Sequence, residues 1–282
     1  MLSNFQRLSV PNKELTKMYG PLAGLIGIWS GNKGVNLVAV PDQKGGFTLL
    51  IAPYSETLTV TAISSPTPNR GLKTIAELPT LMYSLSIYNS IDNSLMHVEN
   101  GFWEVLDPKQ NDGFNIVRLA TIPHGDSLAA LGTSLVTPGG PVIDTSFSAL
   151  PTGGLPPIFG YTENYDGSDI PGYNPKFPNQ YLADYLNEQQ KQGLTITETT
   201  TLPVRTVNSG GIVNIPSIVK NTNTPSFEAT FWIETVKDEK TGKSFQQLQY
   251  TQNTVIEFPV KGTPKGKTIE WPHVNVNTLV KQ

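Results

Sequence analysis

The sequence predicts an all-β protein in which the strands pair antiparallel, as a sandwich or as a barrel. About a dozen short runs rich in Val, Ile, Thr and aromatic residues are each followed closely by a turn signal. The 25 glycines and 23 prolines among the 282 residues suit such a succession of turns. Several runs alternate apolar and polar residues, as "FEATFWIETV" at 227–236 does, and strands that are covered on one face only show this alternation.

The predicted strands fall into two sets along the chain. The first set lies at 35–40, 47–51, 57–63, 81–88, 102–106, 114–121 and 127–136. The second set lies at 195–203, 212–219, 227–236, 245–258 and 268–280. Asp92 and Asn93 stand at a likely hairpin turn in "YNSIDNSLMHVE", which predicts that 81–88 pairs with 95–99. The charged run "KDEKTGK" at 237–243 predicts a solvated hairpin turn.

Helix is predicted at two places only. Residues 11–25 are expected to hold a short helix near the entrance of a barrel. The clearer signal is "PNQYLADYLNEQQKQG" at 178–193, which has a proline at its start, apolar residues at helical spacing and a terminal glycine.

The segment 137–177 differs from its surroundings because it is rich in proline and glycine and still carries six aromatic residues. Linkers between domains are usually polar and poor in bulky side chains. We therefore expect an ordered excursion that packs on the barrel, with Tyr161 and Tyr165 against the barrel or its mouth, and a linker as the alternative. The domain expectation is a single barrel over 1–282 with an insertion at about 137–194.

Composition excludes several classes of function. Charged residues make up 15% of the chain and the formal net charge is −3, so no basic field is available for nucleic acid or for an anionic membrane surface. The absence of cysteine excludes disulfides, thiolate metal sites and cysteine nucleophiles. No apolar run has the length of a membrane span or of a signal-peptide core. We expect a soluble, cytoplasmic protein whose partner is a small molecule; the oligomeric state does not follow from the sequence.

His97 is one of three histidines, and it lies beside Met96 in the hairpin "NSLMHVENGFWEV" at 93–105. Two interpretations of this pair stay open. In one, His97 faces a ligand that needs an imidazole. In the other, Met96 packs in the core while His97 bonds Glu99 or a neighbouring strand.

His273 lies in the alternating run "TIEWPHVNVNTL" and shares a side with Trp271 and Asn275. An imidazole beside indole and aliphatic groups suits the axial ligand of a porphyrin iron, and it equally suits a histidine packed at the end of a barrel. The third histidine, His124 in "TIPHGDS", reads as a turn residue. The spacing of the three matches no zinc motif, and no Gly-x-Ser-x-Gly elbow is present, so no catalytic side chain is assigned.

Four short stretches, in the same order along the chain, resemble the nitrobindin-like heme proteins of the calycin superfamily, which also contains lipocalins and fatty-acid-binding proteins. "GIWSGNKG" at 27–34 is similar to their Gly-x-Trp-x-Gly element, and "PYSETLTVT" at 53–61 to their Tyr-x-Glu strand. "MHVENGFWEV" at 96–105 resembles their Met-His-x-Glu-x-Gly-aromatic hairpin, and "EWPHVNVNTLVK" at 270–281 their last strand. The resemblance covers about 20–136 and 227–282. The segment 137–177 and much of 180–224 have no counterpart.

The resemblance implies an antiparallel calycin-like barrel of about ten strands that binds heme b. In that scheme His273 ligates the iron, Met96 and His97 line the opposite side of the cofactor, and Trp29 belongs to the cofactor-binding set at the floor of the barrel. The implied activity is chemistry on nitric oxide or peroxynitrite, which as an enzyme would be isomerisation of peroxynitrite to nitrate.

Two alternatives from other classes stay open. The first is a non-enzymatic carrier that holds a fatty acid or another apolar ligand in the same barrel. The second is a barrel whose interior is filled and whose insertion binds a protein partner; burial of both His97 and His273 in a packed core would favour it.

Overall fold

Ten antiparallel strands close into a barrel, as the sequence predicts. The structure is a computed structural model. It describes residues 12–41, 47–70, 75–123, 125–152, 165, 167–216, 222–259 and 268–282. His124 and Tyr161 lie outside these ranges, as does the end of the strand predicted at 212–219.

The strands and helices of these ranges have the following bounds. The strands are β1 Gly27–Pro41, β2 Phe47–Ala62, β3 Thr67–Arg70, β4 Ile75–Leu78, β5 Thr80–Asn89, β6 Leu95–Val105, β7 Ile116–Ile122, β8 Asp126–Gly132, β9 Leu135–Pro138, β10 Leu194–Asn214, β11 Asn223–Asp238, β12 Ser244–Pro259 and β13 Thr268–Lys281. The helices are α1 Asn12–Tyr19, a 3-10 helix at Gly20–Leu25 and α2 Asn179–Lys191. None of the helices in the described part of the chain is long and apolar enough to cross a membrane.

The barrel order is β11-β12-β13-β1-β2-β5-β6-β7-β8-β10, and pairing of β10 with β11 closes the ring. β9 extends the sheet along β10, and β3 and β4 form a separate hairpin. β1 pairs with β13, which places strands from both ends of the chain side by side. The architecture is the calycin-like barrel that was expected.

Two breaks that the sequence predicts inside strands do not occur. β2 runs through both 47–51 and 57–63, and β10 joins 195–203 to the start of 212–219. β1 begins at Gly27, well before the predicted start at 35, because the glycines of "GIWSGNKG" are strand residues. A Cβ on Gly34 would lie 2.2 Å from the Tyr54 ring, and one on Gly31 would lie 2.3 Å from the carbonyl oxygen of Thr278. These glycines permit close approach of neighbouring strands.

One end of the barrel is plugged by the N-terminal helices. Leu22 and Leu25 of the 3-10 helix are fully buried in the cluster that fills the barrel. Trp29, also fully buried, donates a hydrogen bond from its indole Nε1 to the carbonyl oxygen of Leu25 at 2.7 Å. The helix predicted at 11–25 is therefore present, but it fills one end of the barrel and does not stand beside an entrance.

A second apolar cluster, separate from the one that fills the barrel, contains α2 and part of the proline-rich segment. In it, Tyr165 and Tyr173 of the segment and Leu182 of α2 are buried with Trp232 of β11. The Tyr165 ring is parallel to that of Trp271 within 4°, with centroids 6.5 Å apart. Where it is described, the segment packs as an ordered cover, so the expectation for Tyr165 is confirmed. The single-domain expectation stays a prediction.

A carboxyl group is buried beneath α2. Glu234 of β11 is fully buried and accepts a hydrogen bond of 2.6 Å from Gln247 Nε2. The Gln247 side chain in turn exchanges hydrogen bonds of 2.8 and 3.2 Å with Gln189 of α2. Burial among uncharged groups raises the pKa of Glu234 to about 8, and the bond from Gln247 offsets only part of this.

Glu234→Gln should change how stability depends on pH. Between the ordinary pKa of 4.5 and the folded value of about 8, the folded protein holds a proton that the unfolded chain releases. The wild type should therefore lose stability as the pH rises through this window. The variant lacks this loss, so thermal unfolding should show its advantage growing by several degrees from pH 5 to pH 8.5. Glu188→Gln, an exposed change on α2, is the matched control; an advantage of Glu234→Gln that is constant across the window would contradict the assignment.

Candidate functional site

His97 and His273 both lie toward the barrel end that is opposite the helical plug. The end of β13 is at the plug, because the Lys281 ammonium lies 5.0 Å from the Trp29 ring centroid and donates to the Gly24 carbonyl at 3.0 Å. His273 is eight residues earlier on the same strand, a distance of roughly 26 Å at the rise of a β-strand. On β6, Trp103 lines the same small cavity as Leu25 of the plug, and His97 is six residues earlier on that strand.

Between the plug and these histidines, the barrel is crossed by a layer of buried polar side chains. On one side of this polar layer, Arg118 of β7 and Glu99 of β6 form an ion pair with 2.6 Å between Nη2 and Oε1, and both are at least 96% buried. The Tyr83 hydroxyl donates to the same Glu99 oxygen, and Arg118 Nε donates to the Tyr83 oxygen at 3.1 Å. The guanidinium carbon also lies 5.1 Å from the Phe231 ring centroid.

The local charges decide the protonation state of Glu99. Burial alone would raise its pKa, but the Arg118 charge and hydrogen bonds from His97 and Tyr83 outweigh burial and lower the pKa to about 2. Glu99 is therefore ionised at neutral pH. The ion pair has no exposed side, so each charge depends on the other and on the groups that hydrogen-bond them.

The other side of the polar layer is centred on Glu56 of β2. Its Oε2 accepts from the Tyr250 hydroxyl and, at 2.9 Å, from Asn277 Nδ2. The Tyr54 and Tyr250 hydroxyl oxygens are 2.8 Å apart. Burial raises the pKa of Glu56, although the bonds from Tyr250 and Asn277 counteract it in part. The two glutamates of the layer therefore differ, and the one beside the arginine is the stronger acid.

Gln252 of β12 connects the ion pair to the opposite wall of the barrel. Arg118 Nη1 donates to Gln252 Oε1 at 2.6 Å. Beside the layer, the cavity bounded by Leu25 and Leu58 has a volume of only about 10 Å³. That is at most one water molecule, whereas pockets for cofactors measure roughly 300–1,000 Å³. The plugged half of the barrel therefore does not fit a porphyrin, and a ligand inside the barrel has to lie beyond the layer, on the side of the histidines.

His97 stands on the outer side of the polar layer. Its side chain is 25% exposed, and Nε2 lies 3.4 Å from Glu99 Oε2. Met96 is partly buried and packs against the interior cluster. The contact between His97 and Glu99, together with the packing of Met96, is what one of the two interpretations of Met96 and His97 predicted. It also leaves a quarter of the His97 side chain exposed.

His273 is partly buried, and its Nε2 lies 2.8 Å from Asn36 Oδ1 of β1. A carboxamide oxygen only accepts hydrogen bonds, so Nε2 donates this one. Asn275 Nδ2 is a weaker neighbour of the same nitrogen at 3.5 Å. Within the described ranges, no group of three or more His, Cys, Asp or Glu side chains is placed to hold a metal ion.

The structure thus brings three of the four predicted site residues to one end of the barrel and leaves Trp29 at the other. Trp29 packs in the plug on the far side of the polar layer from Met96, His97 and His273. The sequence analysis missed Arg118 as a site residue. The alternation of residues along the strand was the signal that could have found it. In "IVRLATI", Arg118 lies on the same face as two small or apolar residues that point into the barrel.

No family model matches the chain, and no curated protein matches it. Among solved structures, the chain is similar to the crystal structure of Rv2717c from M. tuberculosis, with 14% identity and a TM-score of 0.45 over 95% of this chain and 97% of that chain. A likeness of this degree says nothing about a ligand or an activity.

Removing one partner of the ion pair should cost far more than removing both. Arg118→Leu leaves the Glu99 carboxylate buried without its cation, a change that costs about 3–5 kcal/mol when a buried pair is broken. Arg118→Leu combined with Glu99→Leu removes both charges, so it should recover most of that loss in urea unfolding. A double variant that is less stable than both single variants would contradict the mutual dependence of the two charges.

Proposed function

We propose that the protein is a small-molecule-binding barrel of calycin type that holds its ligand at the end that carries His97 and His273, beyond the polar layer. The observation that carries this proposal is the asymmetry of the barrel. One end is plugged by Leu22, Leu25 and Trp29, the centre is filled by the polar layer, and the far end carries two partly exposed imidazoles. Small-molecule sites combine a mostly apolar lining with a few polar groups, and the two histidines would supply such groups here.

Heme b is the ligand that the sequence resemblance implies, and His273 is the residue that would hold its iron. An imidazole that ligates a metal is usually oriented by a hydrogen bond from its other ring nitrogen, and Asn36 is placed to accept such a bond from His273. Met96 and His97 would supply the groups that surround the cofactor from β6. When bound, heme iron supplies affinity for small ligands such as nitric oxide, and the chain's own part is orientation and control of access.

A carrier of a fatty acid or of another apolar molecule is the rival use of the same end. Partly buried Met96, which precedes His97, and Ile212 of β10 pack against the interior cluster and give it further apolar surface. The rival needs no iron ligand, so its binding should be insensitive to His273. This difference separates the two ligands in a single set of variants.

Titration with hemin tests the heme proposal. Wild type should develop a Soret band that saturates at one hemin per chain. His273→Ala should bind hemin at least tenfold more weakly, because the axial nitrogen is lost, whereas His97→Ala should retain most of the affinity and shift the spectrum. His124→Ala is the matched control for nonspecific binding by a histidine.

A wild type that gives no stoichiometric Soret change, or a His273→Ala variant that binds hemin unchanged, rejects heme at this site. The same proteins are then titrated with a fluorescent fatty acid. Saturable binding that His273→Ala leaves intact would favour the carrier, and failure of both probes would reject ligand binding at the histidine end.

A further inference from the structure

The face of the barrel that lies against α2 carries a group of polar side chains. They come from β11, β12 and β13 and are at most 4% exposed: Glu234, Gln247, Gln249 and Thr278. We call these four residues the covered patch. The strand register places Glu234 beside Gln247, and Gln249 beside Thr278. An element that covers such a surface gains less than one that covers an apolar surface, because polar side chains give up their hydration.

The second half of α2, residues 185–191, contacts the covered patch chiefly through Gln189. This buried side chain exchanges hydrogen bonds of 2.8 and 3.2 Å with Gln247. Tyr185 and Leu186 are half-buried, and the other residues of this half are exposed. The first half is anchored differently, because its Leu182 is fully buried in the second apolar cluster. The two halves of α2 are therefore held with unequal strength.

Two oxygens of the covered patch are shielded from solvent and have no hydrogen-bond partner among the described residues. They are Glu234 Oε1 and Gln249 Oε1. A buried acceptor without a partner destabilises the arrangement that buries it. If the second half of α2 moved away, water would reach the patch and satisfy both oxygens. The closed position of the helix is therefore opposed from within its own contact surface.

Ionisation of Glu234 would oppose the closed position further. Within the described ranges Glu234 takes part in no ion pair, and the group that donates to it at 2.6 Å is the neutral amide of Gln247. A buried carboxylate without a cation is far less stable than a buried neutral carboxyl. Lys191 of α2 does not supply the cation, because it is exposed and pairs with Glu188 at 3.4 Å. Asp184 of α2 is exposed as well.

The other elements around Glu234 also bring no positive charge to it. From α2, the Tyr185 hydroxyl is close enough that the Glu234 charge, after burial, contributes to its raised pKa. From β10, Thr199 stands opposite Glu234, and from β12 Gln247 does. Glu198, the neighbour of Thr199 on β10, is exposed. Tyr185 is therefore the titratable side chain that faces Glu234 from these elements.

The surroundings of the second half of α2 leave it room to move. A cleft of about 200 Å³ is lined by Leu186 and Gln189 of the helix, by Gly140 and Pro141, and by the start of β10. Gly193, just after the helix, has a φ of 88°, in the left-handed region that glycine adopts readily. A glycine at this position can absorb a change in the direction of the chain.

We propose that the second half of α2 is a proton-controlled cover over the covered patch. While Glu234 is neutral, the cover stays closed. Ionisation of Glu234 favours the open position, in which water hydrates the carboxylate and both unpaired oxygens. Leu182 keeps the first half in place, and the chain turns at Gly193. The proposal is independent of the ligand at the histidine end, because the covered patch lies on the outer face of the barrel.

The direction of the pH effect follows from the two states of Glu234. In the open state its pKa is the ordinary 4.5, and in the closed state it is about 8. Between these values the closed cover holds a proton that the open cover releases. Opening therefore becomes more favourable as the pH rises, by up to about tenfold for each pH unit, and the effect levels off above pH 8.

Hydrogen exchange followed by NMR between pH 5.5 and pH 7.5 tests the proposal. After correction for the intrinsic exchange rate, the protection of the Leu186 and Gln189 amides should fall at least twentyfold across this range. These amides should be less protected than those of Tyr54 and Tyr250 in the barrel strands, because the cover opens without unfolding of the barrel. Glu234→Gln should remove the pH dependence and keep the protection high at both pH values. Glu234→Met, a second uncharged replacement of similar length, should do the same.

Two matched variants complete the experiment. Tyr185→Phe removes the titratable group that faces Glu234, and Glu188→Gln removes an exposed carboxyl of α2; both should retain the wild-type change with pH. The proposal is overturned if the α2 amides are as protected as the barrel amides at both pH values. It is also overturned if their protection does not change with pH, or if Glu234→Gln changes as wild type does.

Discussion

The ion pair between Arg118 and Glu99 is the constraint on which the interior of this barrel depends. Two opposite charges that are almost completely removed from water are stable together only when their remaining hydrogen-bonding groups are also satisfied. Tyr83, Gln252 and His97 serve that need from three other positions on the wall. The pair also sets the register of β6 against β7, because a slip of one residue would turn a charged side chain to the wrong face.

The same layer determines where a ligand can lie. The layer fills the middle of the barrel, and the N-terminal helices fill one end. A ligand site inside the barrel can therefore lie only at the other end, which carries the histidines. On the outside, the insertion and α2 cover apolar strand faces. β12 contributes to both regions, with Gln252 turned inward and its two neighbours turned outward, as the two-residue period of a strand requires.

Local features of the sequence predicted much of the fold. The turn at Asp92 and Asn93 is present, with Asn93 in the left-handed region at φ 58°, and α2 occupies the predicted stretch. Strand boundaries were wrong where glycine was taken as a turn signal: Gly31 and Gly34 have strand neighbours too close for a side chain. That crowding depends on which strands lie adjacent, and a single sequence does not show it.

The candidate site was predictable only in part, for the same reason. His97 and His273 were recognised from short motifs, and both lie toward one end of the barrel. Trp29 was grouped with them through a motif, but its side chain belongs to the plug. The polar layer joins residues far apart in the chain, such as Glu56 and Tyr250 at a separation of 194 positions. Alternation places each of them on a face, but only barrel closure brings them together.

The most direct test of a charged layer buried in the barrel is a carbon-13 NMR titration of the glutamate side-chain carboxyl groups. Burial beside Arg118 predicts that the Glu99 signal stays that of a carboxylate far into acid, with a pKa of about 2. The Glu56 signal should move at a pH above the ordinary 4.5, because burial without a directly bonded cation favours its neutral form. Both carboxyls titrating together near 4.5 would contradict the buried layer and the division of the barrel that follows from it.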